Sequence, residues 1–219
     1  MFENFRGLMI FIEWVTFFAV LIVLTIQFYN LYRISRVKDA VLHDSWNWSW
    51  AFRSIFHWLI PFGSQGMKDH PFVTVGYFFF HLSFLFMLVF LSTHVFTEMN
   101  WLGGGNLIAD LMALVFMGSV VFIVIRRLLA PEVRIVTTLS DYLLLALVTF
   151  LFMTGYYMAF HPDMELWINY ENILISHILS SELLIILIPF SKLGHMILFF
   201  FTRAIIGVEF GARRGVKSW

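Results

Sequence analysis

Two apolar stretches decide the fold of this chain, FHLSFLFMLVFLSTH at 80–94 and SHILSSELLIILIPFSKLGH at 176–195. Each is apolar enough to belong to a helix that crosses a bilayer, which takes about 20 mostly apolar residues. Each also contains two histidines, His81 with His94 and His177 with His195. An ionisable side chain is costly at bilayer depth, so these four residues are the first candidates for a functional site.

The composition indicates an integral membrane protein. Of its 219 residues, 60% are hydrophobic and 13% are charged, fractions that lie far from those of soluble domains. Five stretches are long and apolar enough to span a membrane, and we expect helices at about 8–29, 72–96, 106–129, 141–160 and 173–201. The sequence therefore predicts a single domain, an all-α integral membrane bundle of five transmembrane helices.

The segment 44–66 combines four tryptophans with the polar residues Asn47, Arg53 and His57. A mixture of aromatic and charged side chains is typical of a helix that lies in the membrane interface. We therefore expect an interfacial helix here rather than a sixth crossing.

Charged residues in the loops predict the orientation. Basic residues follow the first and third predicted helices and form the tail, whereas the loops after the second and fourth helices contain Glu98, Asp163 and Glu165 and neither Lys nor Arg. Because Lys and Arg collect on the cytoplasmic side, the N-terminus is predicted outside and the C-terminus in the cytoplasm.

This orientation places the four histidines at two depths. His94 and His177 come near the outer ends of their helices, and His81 and His195 come near the inner ends. The 18 residues between His177 and His195 amount to about five helical turns, so both are expected on one face, roughly 27 Å apart. The 13 residues between His81 and His94 leave those two about 140° apart around an ideal helix.

Two histidines at one depth on different helices can bind a haem iron from both sides, and neutral imidazole is an ordinary haem ligand. The sequence therefore predicts two b-type haems, an inner one held by His81 and His195 and an outer one held by His94 and His177. The chain has no cysteine, which excludes a thiolate-bound iron–sulfur cluster, a c-type haem attachment and a disulfide on this subunit.

The two quoted stretches, with the helix count and the histidine positions, resemble the gamma subunit of respiratory nitrate reductase, a five-helix membrane cytochrome b. The resemblance extends to related subunits in the transmembrane redox complexes of sulfate-reducing bacteria, above all the small cytochrome b subunit of the high-molecular-weight cytochrome c complex. It implies haem ligands at His81, His94, His177 and His195. It also implies a bacterial inner membrane location, with a periplasmic multihaem cytochrome c and a cytoplasmic iron–sulfur protein as partners.

Other polar residues are candidates for supporting roles. Basic residues near the inner depth of His195 are expected to bind haem propionates through charge-assisted hydrogen bonds; these are Arg126, Arg127, Lys192 and Arg203. Glu182 lies deep in the fifth predicted helix, where a carboxyl group is expected to be protonated or paired. Together with Glu98 and His161 it is a candidate for proton or quinone chemistry, with menaquinone as the expected quinone.

The leading hypothesis is therefore that the chain is the membrane subunit of a respiratory redox complex and transfers electrons across the membrane through the two haems, in exchange with menaquinone. Two other functions fit the same residues. A haem-free transporter or proton channel would use the histidines and Glu182 as a proton relay. A structural anchor would hold soluble redox subunits at the membrane, with haems that serve only stability.

Overall fold

The computed structural model describes residues 2–97, 107–160 and 169–215, without the side chains of 2–6, 10, 88–97, 109 and 159–160. Throughout these ranges every regular element is helical. In chain order the helices are α1 (Phe2–Lys38), α2 (Ala40–Asp44), α3 (Trp48–Leu59), α4 (Gln65–Asp69), α5 (Pro71–Thr97), α6 (Leu107–Leu129), α7 (Pro131–Arg134), α8 (Leu139–Phe160), α9 (Tyr170–Leu187) and α10 (His195–Gly207), which continues into a π-helical turn at Val208–Arg213.

Five of the described segments are long and apolar enough to span a membrane: Gly7–Lys38, Asp110–Leu129, Leu139–Met158, Tyr170–Phe190 and Lys192–Arg213. Helix α5 adds a further apolar helix of 27 residues. These segments confirm the prediction of an all-α, multi-pass membrane protein. The predicted helix within 44–66 is also present, as α3.

The last predicted helix differs from the expectation. The chain was predicted to be continuously helical over 173–201, but α9 ends at Leu187, and two short 3-10 turns, Ile188–Phe190 and Lys192–Gly194, separate it from α10. Pro189 lacks the N–H that a continuing helix needs, and Ser191 is extended, with φ −132° and ψ −178°. The prediction that His177 and His195 share one face of a single helix is therefore wrong.

The chain divides into two compact units. The first comprises Met1–Pro71 and Ile185–Trp219, and in it α3 packs along the C-terminal half of α10 and the π-helical turn. Three contacts, spaced four residues apart on each helix, join the two: Trp50 with Gly211, Ser54 with Gly207, and Trp58 with Arg203. Because the numbers rise along α3 and fall along α10, the two helices are antiparallel.

The second unit, Phe72–Leu184, has an aromatic core. Phe116 of α6 stacks on Phe152 of α8 with ring centroids 3.8 Å apart. Two rings of α5 extend the stack, Phe80 onto Phe116 at 5.2 Å and Phe84 onto Phe152 at 5.8 Å. Phe116 is fully buried, so this stack fixes α5, α6 and α8 together and positions the neighbouring His81 on α5.

Candidate functional site

His177 lies near the start of α9 and contacts α8. Its Nδ1 is 2.9 Å from the hydroxyl oxygen of Thr154. The next residue, Gly155, faces the same ring, since a Cβ built there would lie 3.0 Å from Cε1 of His177. The half-buried imidazole therefore packs against α8 where Thr154 offers a hydroxyl group and Gly155 leaves space for the ring.

The hydrogen bonds of Thr154 identify the donor in this contact. Its hydroxyl oxygen is 3.0 Å from the carbonyl of Phe150 and 2.9 Å from that of Leu151. A carbonyl only accepts, so the single hydroxyl proton is directed to the backbone. The hydroxyl then accepts from His177, which carries its proton on Nδ1 and its lone pair on Nε2.

His81 has the same arrangement on α5. Its Nδ1 donates to the carbonyl of Tyr77, one turn earlier, at 2.7 Å. The hydroxyl of Tyr77 in turn accepts from the guanidinium of Arg126 on α6 at 3.2 Å. The structure thus connects one of the predicted propionate-binding residues with one of the predicted iron ligands through a single tyrosine.

His195 repeats the pattern at the start of α10. Its Nδ1 donates to the carbonyl of Lys192 at 2.6 Å. In all three described candidate ligands Nδ1–H thus has an oxygen acceptor, so that in the neutral imidazole the lone pair is on Nε2. His81 and His195 are exposed on helices that consist mostly of apolar residues.

Three of the predicted residues cannot be compared with the structure in this way. His94 lies on α5, but its side chain is outside the described residues. Glu98 and His161 lie outside the described residues altogether. His81 belongs to the second unit and His195 to the first, so the predicted pairing of the ligands stays a prediction.

Two of the predicted propionate-binding residues have other partners. Arg127 lies 3.9 Å from the carboxylate of Asp141, which also accepts hydrogen bonds from the backbone and side chain of Thr138 at the start of α8. Arg203 places its guanidinium 3.9 Å from the centre of the Trp58 ring, a favourable cation–π contact. These contacts give both arginines a structural role within their own units.

Glu182 is buried in α9, with 7% of its surface exposed. Neither carboxyl oxygen has a hydrogen-bond partner within the described part of the chain. The nearby hydroxyls of Ser180 and Ser181 donate to backbone carbonyls of α9 instead. Burial of a polar group without a hydrogen bond costs free energy, so Glu182 remains a residue that calls for a chemical explanation.

Sequence reasoning missed the residues that orient the imidazoles. Tyr77 precedes His81 by four positions, the spacing at which a helical side chain reaches a backbone carbonyl. Thr154 and Gly155 are a hydroxyl residue and a glycine in the mostly apolar helix 141–160, at the predicted depth of His177. Only the packing of α8 against α9 shows that they meet that ring. Within the described ranges no cluster of three or more His, Asp or Glu side chains is placed to bind a bare metal ion.

Comparison with known proteins identifies a relative. No protein-family model matches the chain, and no solved structure matches it. A protein of Nitratidesulfovibrio vulgaris Hildenborough is 34% identical over 172 residues, which cover 75% of this chain and 73% of that protein. At this identity and coverage the chain belongs to the same protein family as its N. vulgaris relative.

Proposed function

We propose that this chain is the membrane subunit of a respiratory redox complex and transfers electrons across the membrane through two b-type haems. The proposed axial ligands are His81, His94, His177 and His195. The observation that carries the proposal is the shared state of the three described imidazoles, each of which donates from Nδ1 to a fixed oxygen acceptor.

This arrangement is compatible with haem ligation through Nε2 and supports the proposal. Metal-bound histidine almost always donates its other ring N–H to a carbonyl, a carboxylate or a similar acceptor, which fixes the tautomer and the orientation of the ring. Here the acceptors are two backbone carbonyls and the Thr154 hydroxyl. His81 and His195 are also exposed on apolar helices, where a flat apolar macrocycle would cover them. The residues present therefore fit the group.

When bound, a haem supplies one-electron transfer at its iron. The contribution of the chain is to hold and orient the ligands and to neutralise the propionates. Arg126 is the best placed of the basic residues, because its partner Tyr77 also provides the carbonyl that orients His81.

Proton chemistry is proposed at Glu182. If the chain exchanges electrons with menaquinol, each oxidation releases protons that a side chain must accept. Glu182 is a buried carboxyl group without a hydrogen-bond partner among the described residues, and a hydroxyl of a bound quinol would supply one. Glu98 and His161 remain candidates for the same role.

The membrane in which the chain lies and its redox partners are part of the same proposal. The N. vulgaris relative comes from a bacterium, so we place the chain in the bacterial cytoplasmic membrane. An electron carrier that crosses this membrane needs a redox partner on each side, and we propose a periplasmic multihaem cytochrome c and a cytoplasmic iron–sulfur protein.

The experiment is a haem determination on the full chain purified from membranes, for wild type and for His81→Ala, His94→Ala, His177→Ala and His195→Ala. Each substitution is expected to remove one of two haems. His70→Ala is the matched control, because His70 precedes α5 outside the ligand set, and it should keep both haems. Four variants with wild-type haem content would contradict the ligand assignment.

A second function is favoured by one observation, the buried carboxyl group of Glu182. A haem-free proton relay would use this group together with the histidines. It predicts a colourless protein that acidifies or alkalinises vesicles and loses this activity in Glu182→Gln. A structural anchor, in contrast, would contain haems that no quinol reduces.

A further inference from the structure

The turn after α9 and the middle of α10 contact two neighbouring residues of α1, Gln27 and Phe28, and so meet α1 at the same level along its axis. Gln27 donates a hydrogen bond to the carbonyl of Pro189 at 3.0 Å. The ring of the next residue, Phe28, meets that of Phe201 edge to face, with centroids 5.2 Å apart. Pro189 and Phe201 are 12 positions apart. If the segment between them were a helix alongside α1, their two contacts with α1 would lie about 18 Å apart along its axis. The segment between them therefore runs across α1 and not along it.

The basic end of α1 indicates how deep in the membrane Gln27 and Phe28 lie. Its last turns contain Arg33, Arg36 and Lys38, which mark the membrane surface. Phe28 lies five residues before Arg33, a distance of about 8 Å along the axis. Interfacial helices bury their apolar face about 5–10 Å into the boundary between headgroups and acyl chains. The level at which α10 crosses α1 is thus that of an interfacial helix.

The charges of α3 and α10 agree with this depth. Each helix has an arginine in its middle: Arg53 is exposed on α3, and Arg203 lies over Trp58. A guanidinium at the bilayer centre is costly. At the interface it can reach the lipid phosphates.

The exposed face of α3 is an aromatic stripe. Trp48, Phe52 and Phe56 follow at steps of four residues, with successive ring centroids 5.9 and 6.5 Å apart. All three are more than half exposed. The opposite face, with Ala51 and Ser54, is fully buried. Such a division between a packed face and an exposed aromatic face suits a helix that contacts lipid at the interface.

We propose that α3 and α10, with its π-helical turn, lie together in the plane of the membrane, and that the partner of their exposed face is the headgroup boundary of the phospholipid bilayer. The segment Lys192–Arg213 is then not a crossing, although it is long and apolar enough to be one. The chain crosses five times, at α1, α5, α6, α8 and Tyr170–Phe190. Arg213 lies on the same membrane face as the end of α1. This inference does not depend on the haems.

Depth measurement tests the orientation of α10. The chain has no cysteine, so Thr202→Cys, at the middle of Lys192–Arg213, and Phe210→Cys, near its end, each introduce a unique thiol for a nitroxide label. In full-length protein reconstituted into phosphatidylcholine and phosphatidylglycerol bilayers, collision rates with oxygen and with a nickel chelate report the depth. An in-plane helix gives both labels similar depths, whereas a crossing helix would place residue 202 near the bilayer centre and residue 210 about 12 Å closer to the surface, which would overturn the proposal. Val121→Cys and Leu128→Cys on α6 are the matched control, because they lie near the centre and near the end of a candidate crossing helix, and their depths must differ by about 10 Å.

Two further readouts use the same approach. An impermeant maleimide should label Asp39→Cys and Arg213→Cys from the same side of oriented vesicles; labelling from opposite sides would overturn the proposal. A nitroxide at Phe52→Cys should collide frequently with oxygen. If it were shielded from both oxygen and the nickel chelate, the stripe would be covered by protein, and the lipid assignment would be wrong.

Discussion

The hydroxyl of Thr154 on α8 accepts the Nδ1–H of His177 on α9 across 2.9 Å. The contact joins two helices of the same unit and leaves the lone pair of the imidazole on Nε2. It requires a residue that both donates to its own backbone and accepts from its neighbour, and Thr154 does both.

Thr154→Val should weaken the site of His177. Valine has nearly the shape of threonine but no acceptor for Nδ1–H, so the tautomer and orientation of the ring are no longer fixed. Loss of such a partner typically weakens metal binding by roughly 10- to 100-fold. We expect one haem to be lost on dialysis against apomyoglobin and the other to be retained, as measured by haem per chain and by redox titration.

Thr154→Ser is the control for that prediction, because it keeps the hydroxyl and loses only a methyl group. It should retain both haems and wild-type midpoint potentials. If valine and serine behaved alike, the hydrogen bond to His177 would have no part in holding the ring. A wild-type protein without haem would instead contradict the proposed function itself.

Gly207→Ala should destabilise the antiparallel pair of α3 and α10. A Cβ at this position would overlap the backbone carbonyl of Trp50 and lie 2.6 Å from Cβ of Ser54. Because the obstacle is backbone, α3 must move away. Overpacking of this kind costs about 1–3 kcal/mol, and thermal unfolding in detergent should report a lower Tm.

Gly118→Ala is the matched control, on α6. Nothing lies within 4 Å of a Cβ built there, and the residue is exposed within a helix. Replacement of such a glycine by alanine stabilises by about 0.4–1 kcal/mol. An equal loss of Tm in both variants would show that close packing at Gly207 does not hold the pair together.

His57 should make stability fall on acidification. Burial on α3, with a smaller contribution from the charge of Lys68, lowers the pKa of this imidazole below its ordinary value of 6.5. The unfolded chain then binds the proton more readily, so the contribution to stability is complete above pH 6.5 and is lost as the pH falls towards the lower folded value. The Tm of wild type should decrease between pH 7.5 and 5 more than that of His57→Gln. Equal slopes would contradict this assignment.

Much of the fold could be predicted from composition and helix length. The starts and ends of α5, α6 and α8 agree with the apolar stretches to within a few residues, because each stretch is bounded by polar or helix-breaking residues such as Pro71 and Pro131. The break after α9 was not predicted. Pro189 indicates at most a kink, and the extended conformation of Ser191 depends on packing that one sequence does not reveal.

The candidate site could be predicted in part for a similar reason. An imidazole in an apolar stretch is visible in the sequence, so His81, His177 and His195 could be named. What orients them could not, since Thr154 is 23 residues from His177 and meets it only through the packing of two helices. Arg203 appeared to be one more basic residue at the inner end, and only its contact with Trp58 gives it a different role.

The most direct test of haem-mediated electron transfer by this chain is a dithionite-reduced minus oxidised visible spectrum of the purified wild-type chain, with haem quantified per polypeptide as the pyridine complex. We expect the spectrum of a b-type cytochrome and two haems per chain. A colourless protein, expressed in membranes with an adequate haem supply, would contradict it and favour the proton relay.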